Sequence, residues 1–242
     1  MYDVPSIDPI PKSRLMPTLS KAIRQVNTSQ IMPHPLTAEH CLRIDLSATN
    51  PELTADKVYD LKSFQWYLDT LLGQAQKSYA LGGYRERRNI YRRFPHFGTM
   101  NDDKLREYHL GIDIWAPQGT PVYAPLQGKV HSTGNNNVPG DYGGMLILEH
   151  SLGSLPFYSL YGHLHPHVTR KWNGGDQIQA GQLLATLGDP SVNVGWPPHL
   201  HFQLITSINP PEMDFPGVCS AEDLNHFSRL CPNPEYLLDP QI

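Results

Sequence analysis

Long apolar runs are absent from this chain. None approaches the ~20 residues that a membrane-spanning helix requires, so the sequence offers no spanning segment and no membrane partner. Cysteine is scarce. Cys41, Cys219 and Cys231 form no Cys-x-x-Cys pair, which excludes a metal site of that type, and the odd number leaves one thiol over. A Cys219–Cys231 bridge fits the spacing, but reduced structural thiols are the preferred reading. An excess of one charge is missing as well. The formal net charge is −4 with both signs scattered, which gives no footing for a nucleic-acid partner. Residues 1–30 lack a basic start, an uninterrupted apolar stretch and a small-residue cleavage site, the parts of a secretory signal. The expectation is therefore a cytoplasmic protein.

Hydrophobic residues make up 39% of the 242 positions, enough for a core. The length fits one large domain, or one domain with a sizeable N-terminal extension. Twenty-three prolines and nineteen glycines point to many turns and short strands rather than to a helical bundle.

Residues 1–35 read as a Pro-punctuated extension with one helical stretch near Leu19–Val26. Cys41 to Leu46 alternates apolar and polar residues, the signal of a short strand. From Asp60 to Ala80, Leu61, Phe64, Leu68, Leu71, Leu72 and Ala75 recur at three and four. This spacing predicts an amphipathic helix, stopped by Gly82-Gly83. The basic stretch Arg85–Arg93 reads as a solvated connection, with an anion-binding patch as the sharper alternative.

After residue 108 short runs alternate with turn signals. The runs are Gly111–Trp115, Pro121–Ala124, Gly128–His131, Met145–His150, Phe157–Leu164, Gln182–Leu187 and His199–Ile205. Thr133–Gly144, with three consecutive asparagines, and Asp189–Pro198 read as heavy loops. Such spacing predicts a mainly β fold, an antiparallel sandwich or half-barrel. The expected division is a mixed α/β extension over 1–105 with its helix near 60–80, a β domain over 106–206, and a tail over 207–242 packing on it.

Six of the twelve histidines fall in short motifs: His109, then His163, His165 and His167, then His199 and His201. In a strand, alternate side chains share a face. His109, Gly111 and Asp113 then lie on one side, with Gly111 leaving room for an ion, and His199 and His201 likewise share a face. Imidazole plus carboxylate is a ligand set that suits Zn²⁺. Two histidines and one carboxylate leave a fourth position open for water, the arrangement of a catalytic site. Unligated histidines can then take the water proton or stabilise an oxyanion, and His163 and His199 are the candidates. His165 and His167 read as solvent-facing beside Pro166, and His150 as structural. Asp141 and Glu149 are candidates for orienting a ligand imidazole. Tyr108, Trp115 and Tyr123 are candidate groove residues, although aromatics on strands are core by default.

His109-x-x-x-Asp113, Tyr161-x-His163 and His199-x-His201, in that order, resemble the lysostaphin-type (LytM-like) zinc metallopeptidases, over about residues 105–206. Gly119-Thr-Pro-Val-Tyr-Ala124 and Gly175-Asp-Gln-Ile178 agree with the resemblance. It implies a Zn²⁺ cofactor held by His109, Asp113 and His201, with His163 and His199 as the catalytic pair. It also implies a hydrolase acting on a peptide or amide bond, with a short peptide or muropeptide as substrate. Departures are Val194-Gly-Trp-Pro-Pro198, where the family has a small Ser/Thr-Gly stretch, and Gln203, where Glu is usual. Trp196 is expected at the site entrance, narrowing it. Gly82-Gly-Tyr-Arg-Glu86 resembles the version of the domain also found fused to aminotransferase-type enzymes. The alternative on the same fold is a catalytically silent metal-binding scaffold or regulator. A biotinyl- or lipoyl-carrier reading of the hairpins 119–130 and 175–187 fails, because Lys129 and Lys171 lack the setting of a modified lysine. Nothing in the spacing signals an oligomeric state.

Overall fold

The computed structural model describes residues 12–98, 104–209 and 212–242, with side chains from Thr18 onward. Helix α1 (Lys12–Ile23) precedes strand β1 (Cys41–Arg43), the short α2 (Ala55–Tyr59), α3 (Leu61–Ala75) and β2 (Tyr79–Gly82). Then come β3 (Arg106–His109), β4 (Ile112–Trp115), β5 (Pro121–Tyr123), β6 (Gly128–Asn136), β7 (Gly143–Leu152) and β8 (Leu155–Leu164). The chain continues through α4 (Val168–Lys171), β9 (Gln177–Ile178), β10 (Leu183–Thr186), β11 (His199–Ile205) and β12 (Val218–Ser220), and ends on α5 (Leu224–Leu230) and α6 (Glu235–Leu238).

The fold is mainly β. One eight-stranded sheet runs β1-β2-β4-β11-β8-β7-β6-β9, and two two-stranded sheets pair β5 with β10 and β3 with β12. Neighbours in the large sheet are antiparallel except β1 and β2, which run parallel. The sheet is therefore mixed, where turn spacing alone predicts an antiparallel one. A parallel pair needs a long crossover, and α2 and α3 provide it.

α3 starts where Asp60 caps it, its carboxylate accepting from Ser63 N at 2.7 Å. Its buried face, Phe64, Tyr67 and Leu68, joins Ala80 and Trp115 in one cluster. Burying a side chain such as Phe64 contributes about 1.5–3 kcal/mol. The helix stops at Ala75, short of the expected end, because Gln76 turns left-handed at φ 54. Tyr79–Gly82 then pairs with β4 in place of continuing the helix. Among the described residues no helix is long and apolar enough to cross a membrane.

Strand alternation divides the sheet into two faces. Leu200, Phe202 and Leu204 of β11 and Ile112 and Ile114 of β4 enter the main core, which α1 and the β5–β10 pair cover. His199, His201 and Gln203, with Asp113 and Trp115, therefore take the other face. Three sequence expectations change here. The segment with His109 and Asp113 is two strands, because Leu110-Gly111 bends the chain from the small β3–β12 pair into the main sheet. Asn135 and Asn136 lie in β6, paired with Gly144 and Gly143, since hairpin pairing outweighs the poor strand preference of asparagine. The stretch after β2 is paired rather than a solvated connection, with Arg88 N donating to Glu107 O and Arg85 N to His109 O, both at 2.8 Å. All three cysteines are free and buried, and Cys219 and Cys231 do not bridge.

Candidate metal centre

Pairing of β4 with β11 sets Asp113 directly across from His201 and Trp115 across from His199. The bend at Gly111 swings His109 over the same point. The three donor atoms then lie close together: His109 Nε2 to His201 Nδ1 is 2.9 Å, His109 Nε2 to Asp113 Oδ1 3.2 Å, and His201 Nδ1 to Asp113 Oδ1 3.3 Å. All three residues are buried and form a group able to hold a metal ion.

The outer partners of the imidazoles identify their tautomers. His109 Nδ1 donates to Gly83 O at 3.0 Å, leaving Nε2 as a lone pair. His201 Nε2 donates to Gln203 Oε1 at 2.9 Å, leaving Nδ1 as a lone pair. Gln203 is held the right way round because its amide donates to Pro216 O and Cys231 Sγ. Two lone pairs and a carboxylate oxygen thus converge with no donor among them, and Asp113 Oδ1 is buried without a hydrogen-bond partner. Mutual repulsion makes that arrangement costly unless a cation sits between the donors. Zn²⁺ at 2.0–2.1 Å from tetrahedral ligands separates the donor atoms by about 3.3 Å, which the observed spacings match. The residues fit the metal.

Gly111 clears a different space from the one its sequence position suggests. A Cβ there would lie 2.8 Å from His201 Nε2 and 2.6 Å from Phe202 O. It makes room for the ligand imidazole, not for the ion.

His163 reaches the site by breaking strand parity. Tyr161 and Leu164, three positions apart, both enter the main core. A regular strand forbids this, and the register between β7 and β8 slips at Gly144/Leu146. His163 takes the left-handed conformation, φ 62, and turns to the site face. The strain of that conformation is held by His163 N donating to Tyr142 O at 2.8 Å and Gly188 N to His163 O at 3.0 Å. His163 Nδ1 donates to Asn193 Oδ1 at 2.6 Å, and His199 Nδ1 to Pro197 O at 2.8 Å. Both therefore point an unprotonated Nε2 inward, His199 Nε2 lying 3.9 Å from Asp113 Oδ1. Their rings are 3.9 Å apart, and Trp115 stacks on the other side of His199 at 4.0 Å.

Burial, the largest influence, lowers His109 and His199 to about 4 and His163 well below its ordinary value. Burial alone would raise Asp113, but the His109 ring beside it and the Arg88 guanidinium hold it far below the carboxylate range. His109, His163 and His199 are thus neutral in the folded state at pH 7. Below pH 6.5 the unfolded chain gains protons that the folded one refuses, so stability falls as pH drops, the loss from His109 and His199 levelling off near 4 and that from His163 running lower. We expect the denaturation midpoint of the metal-free protein to be flat above pH 7 and to decline between pH 6.5 and 4. The expected loss is roughly 1–3 kcal/mol per histidine. A midpoint constant across that window would contradict the neutral, buried histidines.

The site opens into a cavity of about 520 Å³ walled by Tyr91, Phe97, Trp196, Tyr142 and Phe215. Trp196 is not a rim residue. It is 4% exposed, 4.9 Å from the Phe94 ring, and its Nε1 donates to Gly140 O at 2.9 Å. Trp196→Gly is therefore expected to destabilise the protein by about 3–5 kcal/mol, beyond any widening of the cavity. A wild-type denaturant midpoint would show that this packing matters little.

Asp141 and Glu149 do not orient an imidazole: Asp141 accepts from Tyr142 N, and Glu149 pairs with Lys129 at 3.0 Å. Gln203 and Asn193 take that part, and Gln203, two positions from His201 on one face, was discoverable from the pattern. Of the candidate groove aromatics, Trp115 lines the cavity. His165 is half-buried, His167 exposed, and His150 is bound to Gln127 O and Ser159 Oγ, away from the donors. Arg88 was missed. It is buried, and its guanidinium bonds to Asp113 Oδ2 and Glu86 Oε2.

Fold and site together define a β-sheet domain built around a buried His–Asp–His metal group. Residues 107–212, less than half of the chain, match peptidase family M23, and all five site residues lie inside that match. The uncharacterized lipoprotein YgeR of Escherichia coli is 38% identical over 103 residues, 41% of this chain and 37% of its own. The peptidoglycan DD-endopeptidase ShyC of Vibrio cholerae is 32% identical over 111 residues, 45% of this chain and 23% of its own. The chain thus spans well under half the length of these curated relatives. The catalytic domain of lysostaphin from Staphylococcus simulans superposes with a TM-score of 0.40 at 26% identity, over 55% of this chain and 80% of that one.

Proposed function

We propose that the chain is a zinc-dependent metallopeptidase-type hydrolase that cleaves a peptide or amide bond in a short peptide or muropeptide. The observation that carries this reading is the convergence of His109 Nε2, His201 Nδ1 and the unpartnered Asp113 Oδ1 beside two further lone-pair imidazoles. The match to peptidase family M23 and the peptidoglycan endopeptidases among the relatives support it. His109, Asp113 and His201 would hold the ion. Zinc supplies Lewis acidity and lowers the pKa of a water at its open position to roughly 7.

In this reading His163 and His199 begin as proton acceptors, since each carries its hydrogen on Nδ1 and turns Nε2 to the cavity. One takes the proton of the attacking water. Once protonated, it becomes a donor to the developing oxyanion or to the leaving amine. Trp115, stacked on His199, and Asn193, behind His163, keep the rings aimed. Residues 106–206 form the catalytic segment in this proposal, with 1–105 and 207–242 supplying cavity walls. We also assign the chain to the version of the domain found fused to aminotransferase-type enzymes, on the strength of Gly82-Gly-Tyr-Arg-Glu86. The cytoplasmic expectation has no support among the relatives, one of which is named a lipoprotein.

The test is to incubate purified protein with soluble muropeptides and with intact sacculi, and to follow product masses with and without a chelator. Zinc-dependent cleavage of the soluble substrates is expected. Metal binding without cleavage of any substrate would favour the silent scaffold, and efficient lysis of sacculi would overturn the preference for short substrates.

A further inference from the structure

Arg88 reaches the metal group from outside the segment that matches peptidase family M23. It is 2% exposed, and each of its side-chain nitrogens has a partner. Nε donates to Glu86 Oε2 at 2.6 Å, Nη1 to Asp113 Oδ2 and to the Tyr91 hydroxyl at 3.4 Å, and Nη2 to Gly83 O at 3.3 Å. Although it borders the cavity, a guanidinium so fully engaged has little left to offer a substrate. Burial works against its charge, yet Tyr91, Asp113 and Glu86 raise its pKa above the ordinary value and keep it a cation.

The effect of Arg88 falls on the Asp113 carboxylate, which it divides in two. Oδ2 is bound to Arg88, while Oδ1 has no hydrogen-bond partner and faces the two ligand nitrogens. The last torsion of an aspartate is broad. An untethered carboxylate therefore can offer a metal one oxygen or both. With Oδ2 held, only Oδ1 is presented. The tether is itself anchored: Glu86 Oε1 accepts from Leu46 N at 2.9 Å, and a Cβ on Gly82 would lie 2.8 Å from Arg88 Nη2. A line of contacts thus runs from the strands before residue 88 to the ligand.

We propose that Arg88 is a positioning residue that holds Asp113 as a one-oxygen ligand and so sets the affinity and coordination geometry of the metal. The inference rests on the zinc reading above and makes the segment around β2 part of the metal centre. Partners that orient a metal ligand typically govern a 10–100-fold range in affinity.

The test compares full-length wild type, Arg88→Met and Arg88→Lys, stripped of metal. Each is titrated with Zn²⁺ against a chromophoric chelator, and with Co²⁺ while its visible absorption is recorded. Arg88→Met is expected to bind Zn²⁺ about 10–100-fold more weakly. Its Co²⁺ band should weaken as Asp113 turns to offer both oxygens. Arg88→Lys, which keeps the charge but not the fork, should fall between. A purely structural Arg88 would lower the unfolding midpoint and leave the zinc constant and the cobalt band at wild-type values; that result, or tighter zinc binding, overturns the inference. If Arg88→Met does not fold, Glu86→Gln loosens the tether without touching a ligand. It should weaken zinc in the same direction, and unchanged affinity there is equally fatal. Wild type that bound no zinc would overturn the zinc reading and this inference with it, whereas wild-type affinity in the variants overturns this inference alone.

Discussion

His201→Ala is expected to leave the purified protein with essentially no bound zinc and turnover reduced beyond measurement. The remaining protein donors, His109 and Asp113, form a two-ligand site, and a catalytic zinc site uses three. The neighbouring imidazoles of His163 and His199 are not among the converging donors. His201 is enclosed by glycines: a Cβ on Gly111, Gly162 or Gly217 would lie within 3.4 Å of its atoms. His199 is tied by its Nδ1 to Pro197 O. The variant should still fold, because the large sheet does not depend on that imidazole. Metal analysis beside circular dichroism checks the prediction, and stoichiometric zinc in a folded His201→Ala protein would remove His201 from the ligand set.

His163→Ala should behave in the opposite way, keeping its zinc but losing turnover by roughly 10²–10⁴, the range for a positioned proton-transfer group or oxyanion donor. No nitrogen of His163 is among the three converging donor atoms. Alanine at φ 62 carries backbone strain of its own. His163→Asn is the better control, since asparagine tolerates the left-handed region. Both variants should retain metal and lose activity alike. Wild-type turnover in either would end the catalytic role of His163 and leave the metal group intact.

The site was more legible in the sequence than the fold around it. β11 coincides with the apolar-polar alternation of His199–Ile205; His109, Asp113 and His201 meet, with His199 and His163 beside them. For His199 and His201 the motif lies on one regular strand, where parity decides which side chains share a face. What escaped was non-local. β2 carries a four-residue signal inside what reads as the end of a helix, and only β1 and β4 on either side make it a strand. Arg88 lies in a basic stretch whose pattern is that of a solvated segment; its burial depends on Glu86 and Asp113 being brought to it. His163 was picked out by motif, but parity would have turned it into the core with Tyr161. The bulge that rescues it leaves no mark in composition. The two prolines after Trp196 suggest a place at the entrance, whereas its partners Phe94 and Gly140 are distant in sequence.

The pairing of β2 with β4 has a consequence for how the chain behaves when cut. β4 carries Asp113 and lies between β2 and β11. A fragment trimmed to the segment that matches peptidase family M23, starting near residue 106, would strip one side of β4 and leave its amides and carbonyls facing solvent. Such a bare margin recruits other chains by strand addition. The segment before residue 106 thus acts as a selvedge, keeping the molecule from being stitched to its own copies, and a shortened version would be lost to clumping before its chemistry could be assayed.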